Sequence, residues 1–111
     1  MSLNKELMIV LTTEANSENA EVLAEKILRK KLAACISFHQ IESMYWWNSQ
    51  LKRDGEVQIM IKTTKFQLGK LLDTVKDLHS YENPELLYWE ASSSNSYLNW
   101  ANKVTGSIDS L

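Results

Sequence analysis

The chain has 111 residues, 12 basic and 14 acidic, for a net charge of −2. That length suits one domain with its own core, and the near-neutral balance excludes the basic footprint expected for nucleic acid or an anionic membrane surface. A lone cysteine, Cys35, excludes an internal disulfide and fits a reducing cytoplasm, while the longest aliphatic run, Leu7 to Leu11, falls far short of the roughly 18 residues of a membrane helix.

Glu6 to Thr13 is a continuous apolar run bounded by polar residues, the pattern of a central strand covered on both faces. Asn16 or Ser17 caps the helix that follows, with Glu18 and Glu21 in a first turn where the macrodipole favours acids. Ala20, Leu23, Ala24, Ile27, Leu28 and Leu32 recur at three- and four-residue steps as one apolar stripe. Arg29, Lys30 and Lys31 close this helix at the end that favours cations. Between Ala34 and Thr64 the helical period disappears and strand formers dominate, among them Ile36, Phe38, Ile41, Tyr45, Val57, Ile59 and Ile61. Two strands joined by a hairpin account for this stretch. Its turn is Asn48-Ser49 or Asp54-Gly55, the other dipeptide then being a bulge or bend.

Thr64 and Gln67 have capping-box spacing, with Thr64 accepting from the amide three residues on and Gln67 reaching back to the cap. Leu68, Leu71, Leu72, Val75 and Leu78 supply the stripe of a second helix, and His79 falls at its last turn. Asn83 precedes the chain's one proline, Pro84, which forces extended backbone into a strand through Leu86, Leu87, Tyr88 and Trp89. A short third helix, capped by Ser94 or Asn95, carries Tyr97, Leu98, Trp100 and Ala101. The order is β-α-β-β-α-β plus a terminal helix. It defines an α+β, ferredoxin-like sandwich with a long hairpin between its second and third strands and both long helices on one sheet face. A single domain over residues 1–111, with an ordered core of about 6–105, is expected.

Two helices bury only one side of a sheet. Strand alternation puts Met44 and Trp46 on one side and Tyr45 and Trp47 on the other, and Trp89 and Trp100 add to the apolar surface. Such surface on a small domain predicts an obligate homo-oligomer.

Four stretches at the element junctions, residues 31–37, 43–50, 56–64 and 78–87, reading "KLAACIS", "SMYWWNSQ", "EVQIMIKTT" and "LHSYENPELL", are together similar to the CutA family of small divalent-cation tolerance proteins. "KLAACIS" (residues 31–37) resembles the family's lead into strand two, and "SMYWWNSQ" (43–50) its S-x-Y-x-W-x-G hairpin. "EVQIMIKTT" (56–64) resembles strand three and the helix cap, and "LHSYENPELL" (78–87) the H-P-Y-E-x-P-E signature. The resemblance implies a ferredoxin-like fold assembled as a cytoplasmic homotrimer, similar in plan to the PII signalling proteins, with a role in divalent-cation tolerance or response and no catalytic activity. Ser80 stands where the family has proline, Ser49 where its hairpin has glycine, and His39-Gln40 where strand two often has Pro-Gly. Family register favours Asn48-Ser49 as the hairpin tip and leaves Gly55 as a bend.

Copper binding attributed to some relatives places ligands at the end of strand one and at a histidine pair before the tyrosine. Here those places resemble Thr12 and Leu78-His79, which leaves one imidazole. His79 and Glu82 are the candidate ligands for Cu2+ or another divalent ion, in a site shared between subunits. Tyr45, Trp47, Glu56, Lys62 and Tyr81 are the candidate cleft residues. Lys62 is a snorkelling lysine, a partner of Glu82 or an anion contact. Cys35 reads as a small buried hydrophobe and His39 as a rim histidine; about 13 Å apart along one strand, they do not chelate together. Residues 12–18, "TTEANSE", lack the phosphate-cradling arginine loop of acylphosphatases, and "EVQIMIKT" lacks the glycine-aromatic signature of RNA-recognition modules. The alternative function is a PII-like regulatory module that binds a small molecule or a protein without metal.

Overall fold

The apolar run Leu7 to Leu11 becomes the middle of a sheet. In the computed structural model, which describes residues 4–106, the elements are β1 (Asn4–Glu14), α1 (Ser17–Arg29), β2 (Cys35–Trp47), β3 (Gln50–Thr64), α2 (Leu68–Leu78), β4 (Leu87–Ser93) and α3 (Asn95–Val104). The sheet order is β2-β3-β1-β4 and every neighbouring pair is antiparallel. This is the ferredoxin-like order expected from the pattern of periods.

Alternation sends Val10 of β1 and Val57, Ile59 and Ile61 of β3 to one face, where they meet Ala20, Leu23 and Ile27 of α1 and Leu71 and Val75 of α2. Leu7 points to the other face and packs with Leu98 and Ala101 of α3. The short helix thus covers one end of the face that the two long helices leave open.

Helix α1 starts at Asn16, whose side chain accepts from the Asn19 amide at 2.8 Å. It stops at Lys31, held at φ 59°. The Lys31 amide donates to the Leu28 carbonyl and the Leu32 amide to the Ile27 carbonyl, a Schellman motif closed by packing of Leu32 beside Ile27. Leu28 leaves the expected stripe and is exposed.

The capping box expected at Thr64 does not form. Thr64 is still the last residue of β3, paired with Leu7, and its buried hydroxyl has no hydrogen-bond partner among the described residues. The Gln67 side chain instead donates to the Thr105 carbonyl at 2.8 Å, tying the start of α2 to the end of α3. Strand pairing therefore outcompetes the cap, and α2 begins one turn later, at Leu68.

The hairpin turns at Asn48-Ser49, with φ of 50° and 60°, the paired left-handed geometry of a type I′ turn. The bend or bulge expected at Gly55 is absent: Gly55 pairs with Glu42 in an unbroken register. A two-stranded ribbon makes no demand there that a glycine must relieve. Because β1 ends opposite Val57, the hairpin continues past it as two strands only, from Ile41 and Glu56 to the tip, for roughly 20 Å at about 3.3 Å per residue. This arm frames the site.

Candidate functional site

Polar residues finish β1: Thr12, Thr13 and Glu14 are all buried, an unusual load for the end of a central strand. What satisfies them is the chain leaving α2. His79 caps that helix with extended backbone (φ −67°, ψ 143°), so residues 79–86 turn away from the helix axis and cross the end of β1. Residues 80–83 bend, Asn83 included where extended backbone was expected, and the chain then runs through Pro84 to the start of β4 at Leu87.

The His79 side chain is completely buried. Its Nε2 lies 2.6 Å from the Thr13 carbonyl and 3.2 Å from the Thr12 hydroxyl. Its Nδ1 accepts from the Tyr81 amide at 2.9 Å and lies 3.5 Å from Glu14. The Glu14 carboxylate, also buried, accepts from the Ser80 amide at 3.0 Å and from the Ser80 hydroxyl. A serine in place of proline after the histidine thus supplies two donors, the N–H and the O–H, where a proline would supply neither.

Beyond this clasp Tyr81 stacks at a tilt on His79, with ring centroids 5.0 Å apart, and its hydroxyl donates to Glu56 at 2.8 Å. Across the arm the Tyr45 hydroxyl donates to Asp54. These groups line a groove of about 1160 Å3 between the hairpin arm and the crossing loop, together with Trp47, Lys52, Glu82 and Glu85. Burial, reinforced by the Glu56 hydrogen bond and the charges of Glu56 and Glu14, pushes the Tyr81 phenol far above its ordinary 10.0. The hydrogen bond to Asp54 raises the Tyr45 phenol too. A phenol whose pKa is higher in the folded chain than in the unfolded one adds stability that is fully present below pH 10 and is lost as the pH climbs toward its folded value. Unfolding midpoints measured in denaturant should therefore fall above pH 10, and fall less steeply in Tyr81→Phe; parallel pH profiles for the two proteins would contradict this.

The structure thus gathers Tyr45, Trp47, Glu56, Tyr81 and Glu82 in one groove. It does not bring His79 there, nor Lys62, which pairs with Cys35 and Ile9 on the same sheet face but about 20 Å along β3 from Glu56. Cys35 is half-buried and His39 exposed. Thr12, Glu14, Ser80, Asp54 and Lys52 were not singled out from the sequence as members of the clasp or the groove: Thr12 stood only at the place of a relative's ligand, Ser80 only as a departure from the family pattern and Asp54 only as a turn candidate. The signal for the first two was their position, polar residues continuing an apolar run without a break.

A metal ligand must offer a lone pair. At His79 the Nδ1 lone pair is taken by the Tyr81 amide and Nε2 faces a carbonyl, so His79 as placed does not fit a metal, and His79 and Glu82 form no chelating pair within one chain. Among the described residues no group of three or more His, Cys, Asp or Glu side chains is placed to hold a metal ion, and no helix is long and apolar enough to cross a membrane.

A ferredoxin-like domain with a groove between a long β2-β3 arm and a loop crossing the end of β1 is a recognisable class. The family model described as CutA1 divalent ion tolerance protein matches residues 8–104, and the chain belongs to that family. A divalent-cation tolerance protein CutA from Salmonella newport (strain SL254) is 37% identical over 99 residues, 87% of this chain and 86% of the relative. The structure of CutA from Synechococcus elongatus PCC7942 superposes with a TM-score of 0.89 at 34% identity, covering 94% of this chain and 96% of the other. The periplasmic divalent cation tolerance protein CutA from Archaeoglobus fulgidus gives 0.85 at 28% identity over 89% and 98%.

Proposed function

We propose that this divalent-cation tolerance protein works as a cytoplasmic homotrimer that binds rather than catalyses, with each groove completed by a neighbouring subunit. The supporting observation is the hairpin arm. Met44, Trp46, Trp47 and Leu51 on its two faces are 63%, 73%, 60% and 58% exposed. A two-stranded ribbon is marginal alone in water, and apolar side chains on both its faces call for a cover. Leu87, Trp89 and Trp100 are exposed as well and extend the surface available to a neighbour.

In this reading Cu2+ or another divalent ion is held weakly by Glu82 with Glu56, carboxylates of the acidic groove, and by groups from the adjacent subunit. Hard and borderline divalent ions accept such oxygen ligands, though with modest affinity when few are preformed. Tyr45, Trp47 and Tyr81 form the wall, and Lys62 faces the neighbouring subunit or an anion. Light scattering should return three times the 12.8 kDa chain mass, and copper titrated into the wild type should release heat that Glu82→Ala loses. A single-chain mass would end the trimer, and equal negligible heats would end the metal site.

A second reading, a PII-like module for a small molecule or protein, is favoured by the groove itself. Its volume and aromatic walls suit an organic ligand. A thermal-shift panel of nucleotides and metabolites in metal-free buffer tests it, and silence across the panel counts against it.

A further inference from the structure

Between His79 and Leu86, which packs against the main core, the crossing loop has little apolar anchorage. Ser80, Glu82, Asn83 and Glu85 are exposed, and Tyr81 and Pro84 only partly buried. Yet Tyr81 has to be held closely enough for its hydroxyl to meet Glu56 at 2.8 Å. We propose that His79 is the positioning residue: locked in its Nε2–H form, the imidazole sets the Tyr81 backbone and through it the groove wall, and it is not a cation ligand.

A carbonyl can only accept, so at 2.6 Å from the Thr13 oxygen Nε2 carries the proton. A backbone amide can only donate, so at 2.9 Å from the Tyr81 nitrogen Nδ1 is bare. The two bonds fix one neutral tautomer and join the end of β1 to the loop. Thr12 beside Nε2 and Glu14 beside Nδ1 flank the ring, and Glu14 holds Ser80, the residue between His79 and Tyr81. A metal at Nδ1 would have to displace the Tyr81 amide and release the wall that it came to bind. An aliphatic residue of similar volume would fill the space but leave a buried carbonyl and an amide without partners.

The inference rests on the groove being the working surface proposed above, but its test reads the ring and the loop directly. Nitrogen-resolved NMR of the full chain at neutral pH should show a bare Nδ1 and a protonated Nε2. The Tyr81 amide should exchange about tenfold faster in His79→Leu than in wild type, the factor expected from one lost hydrogen bond. His79→Asn should restore most of that protection, because an asparagine oxygen can accept from the amide two residues on. A protonated Nδ1 in the wild type, or equally fast exchange in both variants, overturns the proposal; if either variant does not fold, the wild-type ring spectrum decides it. Zinc added alone should leave the ring signals in place while the Glu56 and Glu82 amides shift. Zinc that moves Nδ1 overturns the positioning role, whereas zinc that moves no groove amide counts against the cation reading and leaves the ring result standing.

Discussion

Truncating Ile61 to alanine is expected to lower the unfolding free energy by about 2–5 kcal/mol, the range for deleting a large aliphatic side chain from a core that cannot close around the gap. Ile61 is fully buried and belongs to the cluster shared by β1, β3 and both long helices. Its backbone is paired with Val10 on one side and Ile36 on the other, so the sheet cannot shift to fill the space. Relaxation has to come from α1 and α2, whose facing residues Ile27, Leu71 and Val75 are themselves fully buried. Denaturant midpoints at one fixed protein concentration measure the loss, since assembly would otherwise add a mass-action term. A loss well under 1 kcal/mol would mean that the helical layer slides freely over the sheet.

Glu14→Ala should cost about 1.5–3 kcal/mol, the scale of hydrogen bonds made to a charged group. The carboxylate is buried and accepts from both the amide and the hydroxyl of Ser80. Glu14→Gln separates charge from shape. The amide keeps the volume, its oxygen can still accept from the Ser80 amide and its NH2 can donate to the Ser80 hydroxyl, so glutamine should recover part of the alanine loss and forfeit the charge-assisted share. If glutamine is as destabilising as alanine, the negative charge rather than acceptance from the Ser80 amide holds the clasp.

Much of this fold was legible in residue order. The break from a helical to a strand period after Ala34 located the hairpin, Asn16 or Ser17 marked the start of α1, where Asn16 proves to be the cap, and Pro84 marked the crossing into β4. The expectations that failed were local signals overridden by distant partners. Thr64 and Gln67 have the chemistry of a capping box, but Leu7 claims the backbone of one and Thr105 the side chain of the other. The groove was partly legible, because strand alternation places Tyr45, Trp47 and Glu56 on one face whatever the tertiary packing. The clasp was not, since His79 and Ser80 meet Thr13 and Glu14 across 66 residues, a juxtaposition that no periodicity encodes.

The strand order also has a consequence for synthesis. β1 lies between β3 and β4, pairing Leu7 with Thr64 on one side and with Ala91 on the other. A ribosome therefore releases this central strand, whose residues Leu7 to Val10 are buried in the fold, before either of its partners. Until residues near 57–64 emerge, that segment has only α1 to shelter it, and its second edge waits for almost the whole chain. The long separation of these pairs slows closure, so the nascent N-terminal segment is where premature association or chaperone capture should concentrate.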